Sequence, residues 1–181
     1  MLLQTPICDF GWPAPDFELA TPDGKRHSRD SLNGGNGLLI AFICNHCPYV
    51  VAVIDRLALD LQALRADGIG AACIMSNDWH SYPADSPDKM LGFAAQHGLD
   101  VPYLVDADQS VARAYNAVCT PDFFGFDATG GLQYRGRIDD AGMKDPTGRV
   151  PELINAMRLV AKTGKGPVDQ TPSMGCSIKW R

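Results

Sequence analysis

Cys44-Asn45-His46-Cys47, followed at once by Pro48, is the stretch of this chain whose residue types and spacing could do chemistry. Two thiols that close in sequence can open and shut as a disulfide. They can also be half of a zinc site, with His46 or Cys119 as further ligands, or be merely structural. No second C-x-x-C and no H-x-x-x-H accompanies them. What must position the pair bears on the choice. Residues 38–43 (L-L-I-A-F-I) are a short uninterrupted apolar run, suited to a buried central strand. After the pair, Val50, Val53, Ile54, Leu57, Leu61 and Leu64 recur at helical spacing, with Asp55, Arg56, Gln62 and Arg65 opposite. Pro48 suits a first helical turn, where its missing N–H costs nothing. The cysteines therefore fall at a strand-to-helix junction, where the positive end of the helix dipole favours thiolate over thiol. That is a redox setting.

The whole chain narrows the alternatives. At 181 residues it is read as one domain, residues 1–181, with a substantial core. A net charge of -5 without a basic run argues against nucleic acid, whose phosphates demand clustered Lys and Arg. No apolar stretch approaches the ~20 residues of a membrane span, so no membrane partner is expected. Residues 1–10 hold Asp9 and lack the basic start and apolar core of a secretion signal, so a cytoplasmic location is expected. Six cysteines in that compartment do not suggest a disulfide framework.

Along the chain, residues 13–19 and 21–25 read as an extended arm and an Asp-Gly turn, and 31–37 as loop. Residues 69–75 form a second apolar run, which completes a strand–helix–strand unit with a parallel sheet. Residues 76–83 (S-N-D-W-H-S-Y-P) are a polar, aromatic loop leaving that strand end, where open α/β sheets place their sites. Ser86-Pro87 opens a further helix, 101–105 reads as a strand, and Asp108 could cap a helix carrying Val111, Ala114, Tyr115 and Val118. Residues 123–126 and 132–134 flank a Gly-rich hairpin loop. Pro151 starts a last helix ended by Gly164. Residues 165–181 lack periodicity and read as an irregular C-terminal tail.

This order of elements resembles the thioredoxin-like α/β fold: a central mixed sheet flanked by helices. The front half, A-P-D-F-E-L followed by D-G, resembles the redoxin (AhpC/TSA-type) branch, which adds an N-terminal hairpin. F-I-C-N-H-C-P-Y-V at 42–50, S-N-D at 76–78, Y-P-A-D-S at 82–86, C-T-P-D-F-F at 119–124, Y-R-G-R-I-D-D at 134–140 and P-S-M-G-C-S-I-K-W at 172–180 are similar to one bacterial thioredoxin-family subgroup.

The resemblance implies a thiol–disulfide oxidoreductase, with Cys44 as exposed nucleophile and Cys47 as buried resolving thiol. Asn45, His46 and Pro48 would tune the couple. His46 can pair with the Cys44 thiolate, which implies a potential above the ~-270 mV of thioredoxin. Thr120-Pro121 resembles the cis-proline loop that docks an incoming extended peptide as an extra strand. Cys119, one residue earlier, and Cys176 in the tail are candidates for a third redox thiol, whereas Cys73 reads as core and Cys8 as incidental. His27, His80 and His97 read as surface histidines. Expected partners are a protein or small-molecule disulfide or thiol, together with a reducing or oxidising thiol. No cofactor and no metal is implied. One rival is a peroxiredoxin-like antioxidant peroxidase. Its P-x-x-x-T-x-x-C pattern, aligned on Cys47, meets Ile40 and Cys44 where proline and threonine belong. The other rival is a non-catalytic peptide-binding module.

Overall fold

The computed structural model describes residues 1–181. Its centre is β4 (Leu38–Phe42), the apolar run read as a buried strand, with every residue buried. Side chains alternate across a strand, so β4 feeds two cores. Leu39, Ala41 and Ile43 face one layer, while Leu38, Ile40 and Phe42 face the other. Parallel to β4 runs β5 (Gly70–Met75), and parallel to β5 runs β6 (Tyr103–Val105). On the other side β8 (Asp122–Phe126) is antiparallel to β4, and β9 (Leu132–Tyr134) antiparallel to β8. The Asp-Gly turn joins β2 (Glu18–Ala20) to β3 (Arg26–Ser28), and this hairpin extends the sheet beyond β6. The result is a seven-stranded mixed sheet of order β3-β2-β6-β5-β4-β8-β9, the thioredoxin-like architecture with its N-terminal hairpin.

Helices cover both faces. On one lie α3 (Ile54–Ala66) and α6 (Glu152–Thr163), with Ile54, Leu57, Leu61, Leu153 and Met157 inward. Gly164 ends α6 at φ 73°, a left-handed value that glycine adopts without a Cβ penalty. On the other face α5 (Ser110–Ala114) and the residues after it bring Tyr115 against Phe42, Phe124 and Phe126, with ring centroids 5.5–6.1 Å apart. Burial does not strand its hydroxyl, which donates to Pro15 O at 3.0 Å. Two short helices, α1 (Arg29–Leu32) and α4 (Pro87–Gln96), complete the cover.

Two expectations are corrected. The helix read as continuous through Val50 and Leu64 is broken: α2 (Pro48–Val51) stops, and α3 starts again at Ile54. Val53 lies at φ -117°, and the Ala52 carbonyl, freed by the break, accepts instead from Arg56 Nη1. Nor is the tail irregular. Met174–Ser177 form β10, clasped between β1 (Leu2–Gln4) and β7 (Cys119–Thr120) in a second, three-stranded sheet of order β1-β10-β7. A four-residue strand pairs through its backbone, so side-chain periodicity carries little trace of it.

The Arg56 that caps the break is also fixed from the loop after β9. Its Nε donates to the fully buried Asp139 at 2.6 Å. Asp139 further accepts from the backbone N–H groups of Ala141 and Gly142, and Arg149 bridges Asp139 to Asp60. Asp139 thus belongs to a network of ion pairs joining the loop to α3, while Asp140 accepts from Val150 N. Removing one partner from a buried pair leaves an uncompensated charge, at a cost of ~3–5 kcal/mol, whereas exposed pairs contribute ~0–1 kcal/mol. Asp139→Ala is therefore expected to lower the unfolding free energy by about 3–5 kcal/mol in urea titration, and Arg158→Ala, which breaks the exposed pair to Asp67, by about 1 kcal/mol or less. Equal effects would show that the network does not carry this stability.

Candidate active site

Cys44 follows the carboxyl end of β4, and Cys47 is the N-cap of α2 with Pro48 at its first position. Both are buried, at 1% and 0% exposure. Val50 N and Val51 N both donate to the Cys47 carbonyl at 2.9 Å, which sets the turn. Opposite them stands Thr120, whose bond to Pro121 is cis. Its hydroxyl lies 3.4 Å from Cys44 Sγ, and its carbonyl accepts from the Cys47 thiol at 3.2 Å. The two sulfurs thus share one residue from the β7–β8 segment.

A residue given no role by the sequence organises the rest. Asp85, fully buried, accepts from Asn45 N and from Asn77 Nδ2, both at 2.8 Å. His46 Nδ1 lies 2.7 Å from its Oδ2, within ion-pair distance but not aligned for a hydrogen bond. The His46 ring stacks on Tyr82, with centroids 5.6 Å apart and planes 8° from parallel. Asn45 is clamped on both sides, its amide donating to Ala84 O and its carbonyl accepting from Tyr103 at 3.0 Å each. Asn45 therefore fixes the loop. Asp85 stands in the Y-P-A-D-S stretch; an acidic residue just before a Ser-Pro helix start was the only signal, and it does not say which loop the carboxylate serves.

Electrostatics divide the thiols. Cys47 is held below the ordinary thiol value, chiefly by the Cys44 thiol, with Cys176 adding to the effect and burial opposing it. Cys44 is pushed far above it by Cys47, by burial and by the charge of Asp85. The two thiols thus titrate as one pair that shares a single negative charge. Cys44 is not the exposed thiol that the nucleophile assignment implies. The Cys47 thiol and the Thr120 hydroxyl beside its sulfur account for this correction.

Of the two further thiol candidates, Cys176 is brought beside Cys47 and Cys119 is enclosed near them. Cys119 is buried, its thiol raised by burial and then by Asp122, and it donates to Pro121 O at 3.6 Å. Cys176 is half-buried beside Cys47, its thiol raised by burial and by that neighbour. Cys73 is core and Cys8 lines a separate surface cleft. His97, read as a surface residue, is largely covered and pairs with Asp55 at 2.7 Å. The Thr120 edge expected to receive a peptide is already paired, with Cys176 in register. Cys44, His46 and Asp85 present donor atoms within 4.8 Å of one another, a set that borderline divalent ions such as zinc accept. Arg135 pairs with Asp122 at 3.1 Å, and Arg137 with Glu152 at 2.6 Å.

The fold has close counterparts. An uncharacterized conserved protein from Geobacillus kaustophilus is 37% identical, with a TM-score of 0.93 over 100% of this chain and 97% of that one. A hypothetical protein from Sinorhizobium meliloti is 37% identical, with a TM-score of 0.92 over 98% of each chain. More distantly, a putative thiol:disulfide interchange protein DsbE from Chlorobium tepidum shares the fold at 18% identity, with a TM-score of 0.62 over 86% of this chain and 99% of that one. No curated protein is matched. The AhpC/TSA family profile matches residues 10–135, which span all seven strands of the larger sheet together with Cys44 and Cys47, and the chain is a member of the AhpC/TSA family.

Proposed function

We propose that this protein is a thiol–disulfide oxidoreductase that works through Cys44 and Cys47. The observation that carries the reading is the pair itself: two buried thiols that share Thr120 and have opposite shifts. One proton between two sulfurs leaves one nucleophile and one acid. A thiolate attacks a substrate disulfide and the first reduced fragment leaves. The remaining thiol of the pair then closes the Cys44–Cys47 disulfide and releases the second. The partners are disulfides or thiols, and a second thiol couple resets the pair.

Peroxidase chemistry has one observation in its favour, since the favoured thiolate, Cys47, caps a helix at the place the family's peroxide-reducing cysteine takes. Against it, the hydroxyl of the site comes from Thr120 beside Cys44, and Arg135 is engaged by Asp122. Rapid hydrogen peroxide turnover by a variant that keeps Cys47 alone of the six cysteines would favour that second reading.

A thiolate stabilised in the reduced state makes the couple more oxidising. A two-electron midpoint above the ~-270 mV of thioredoxin is expected in equilibration against glutathione, with loss of the couple in Cys44→Ser or Cys47→Ser. No couple involving the two cysteines, or a midpoint at or below that of thioredoxin, would overturn the assignment.

The sign of the pH dependence follows from the lowered Cys47 value. The thiolate is present from the ordinary thiol range down to that value, and its stabilising effect is lost as pH falls through it. Ultraviolet thiolate absorbance of the reduced protein is expected to persist well below ~8.5 and to vanish in Cys47→Ser. In Cys44→Ser the titration should move upward, because Cys44 is the largest cause of the shift. A Cys47 titration at the ordinary value in both proteins would refute this account.

A further inference from the structure

From the pairing of the second sheet we infer that β10 is a built-in ligand of the site, which closes it to extended polypeptides and makes Cys176 the thiol that a small external disulfide meets. The inference rests on the oxidoreductase reading and names its substrate class. An extended chain that carries a cysteine to this pair would need the backbone edge of Thr120, the residue touching both sulfurs. That edge is taken. Cys176 pairs with Thr120 and Ser177 with Cys119, in antiparallel register.

The fit is built. A Cβ on Gly175 would stand 2.0 Å from the Thr120 carbonyl oxygen, so only glycine permits this approach. The strand is tied on both sides of Cys176. Before it, Ser173 Oγ donates to Pro121 O at 2.9 Å, and Ser173 N to Thr5 Oγ1 at 3.0 Å. After it, Ile178 is buried in the second core and Lys179 N donates to Asn77 Oδ1 at 2.8 Å. Of the three clustered thiols, Cys44 and Cys47 have 1% and 0% exposure, and only Cys176 has substantial contact with solvent.

The exchange then runs inward. As Cys176 attacks one sulfur of a small disulfide RSSR, its proton passes to the Cys47 thiolate beside it. The S–S bond breaks and RS⁻ leaves, forming Cys176–S–S–R. Cys47 gives up that proton to the departing RS⁻ and attacks the Cys176 sulfur, expelling the second RS⁻. Cys44 attacks Cys47 in turn, loses its proton to the second RS⁻ and releases Cys176 as thiolate. RSSR is reduced to two RSH, the Cys44–Cys47 pair is oxidised, and the proton drawn from Cys176 is regained on resetting.

A tethered strand competes at an effective concentration of ~1 mM. A polypeptide at ~10 µM is therefore disfavoured by about 100-fold. Reduced wild-type protein is expected to reduce hydroxyethyl disulfide about 100-fold faster than insulin at equal disulfide concentration. Gly175→Val, which pushes the strand from Thr120, should raise the insulin rate relative to the small disulfide. In Cys47→Ser, mass spectrometry should find the hydroxyethanethiol adduct on Cys176. Similar wild-type rates with both disulfides, or an adduct on Cys44 instead, would overturn this inference while leaving the oxidoreductase reading intact. No exchange with either disulfide would overturn that reading, and this one with it.

Discussion

The arrangement depends on one buried carboxylate. Asp85 has no lysine or arginine against it. Its charge is held by the Asn45 backbone N–H, the Asn77 amide and the nearby His46 ring. A buried carboxylate is tolerable when its oxygens are satisfied by hydrogen bonds, and here the donors come from two separate loops. The first loop carries the cysteines. The second carries Asn77, whose side-chain oxygen accepts from Lys179 N, while Asp78 N donates to Lys179 O. One carboxylate thus ties together the dithiol, the loop leaving β5 and the segment that delivers Cys176.

That placement has an electrostatic cost and a use. The Cys47 thiol and burial raise the Cys44 thiol first, and the fixed negative charge beside it adds to their effect. A dithiol in bulk water would divide its charge nearly evenly between two similar thiols. Burial between Asp85 on one side and the α2 terminus on the other breaks that symmetry, and Thr120 holds both sulfurs in one place.

Much of this was legible in the chain. Leu38 to Phe42 announce a buried strand because they are apolar without interruption, and the spacing from Ile54 to Leu64 announces a helix because one face repeats. The site's cysteines could be found because their chemistry is local. What escaped depends on distant partners. The break at Ala52 is stabilised by an arginine fixed from residue 139, and the β10 strand by backbone pairing that leaves no side-chain period. A carboxylate from the residue 82–86 stretch lies beside Cys44, a proximity no spacing encodes. His97 looked solvated for the same reason: its partner Asp55 is on another helix.

Ile178 joins the site to the stability of the whole fold. It is 3% exposed, packed in the core on the far face of the sheet, two residues beyond Cys176. Peeling the end of the chain away exposes that side chain, at about 1.5–3 kcal/mol, before any ladder hydrogen bond is counted. An open form would then be a minority species of at most a few per cent. The pairing edge of Thr120 is thus governed by a local unfolding equilibrium anchored on the opposite face of the sheet, and amide exchange in β10 would report how often it opens.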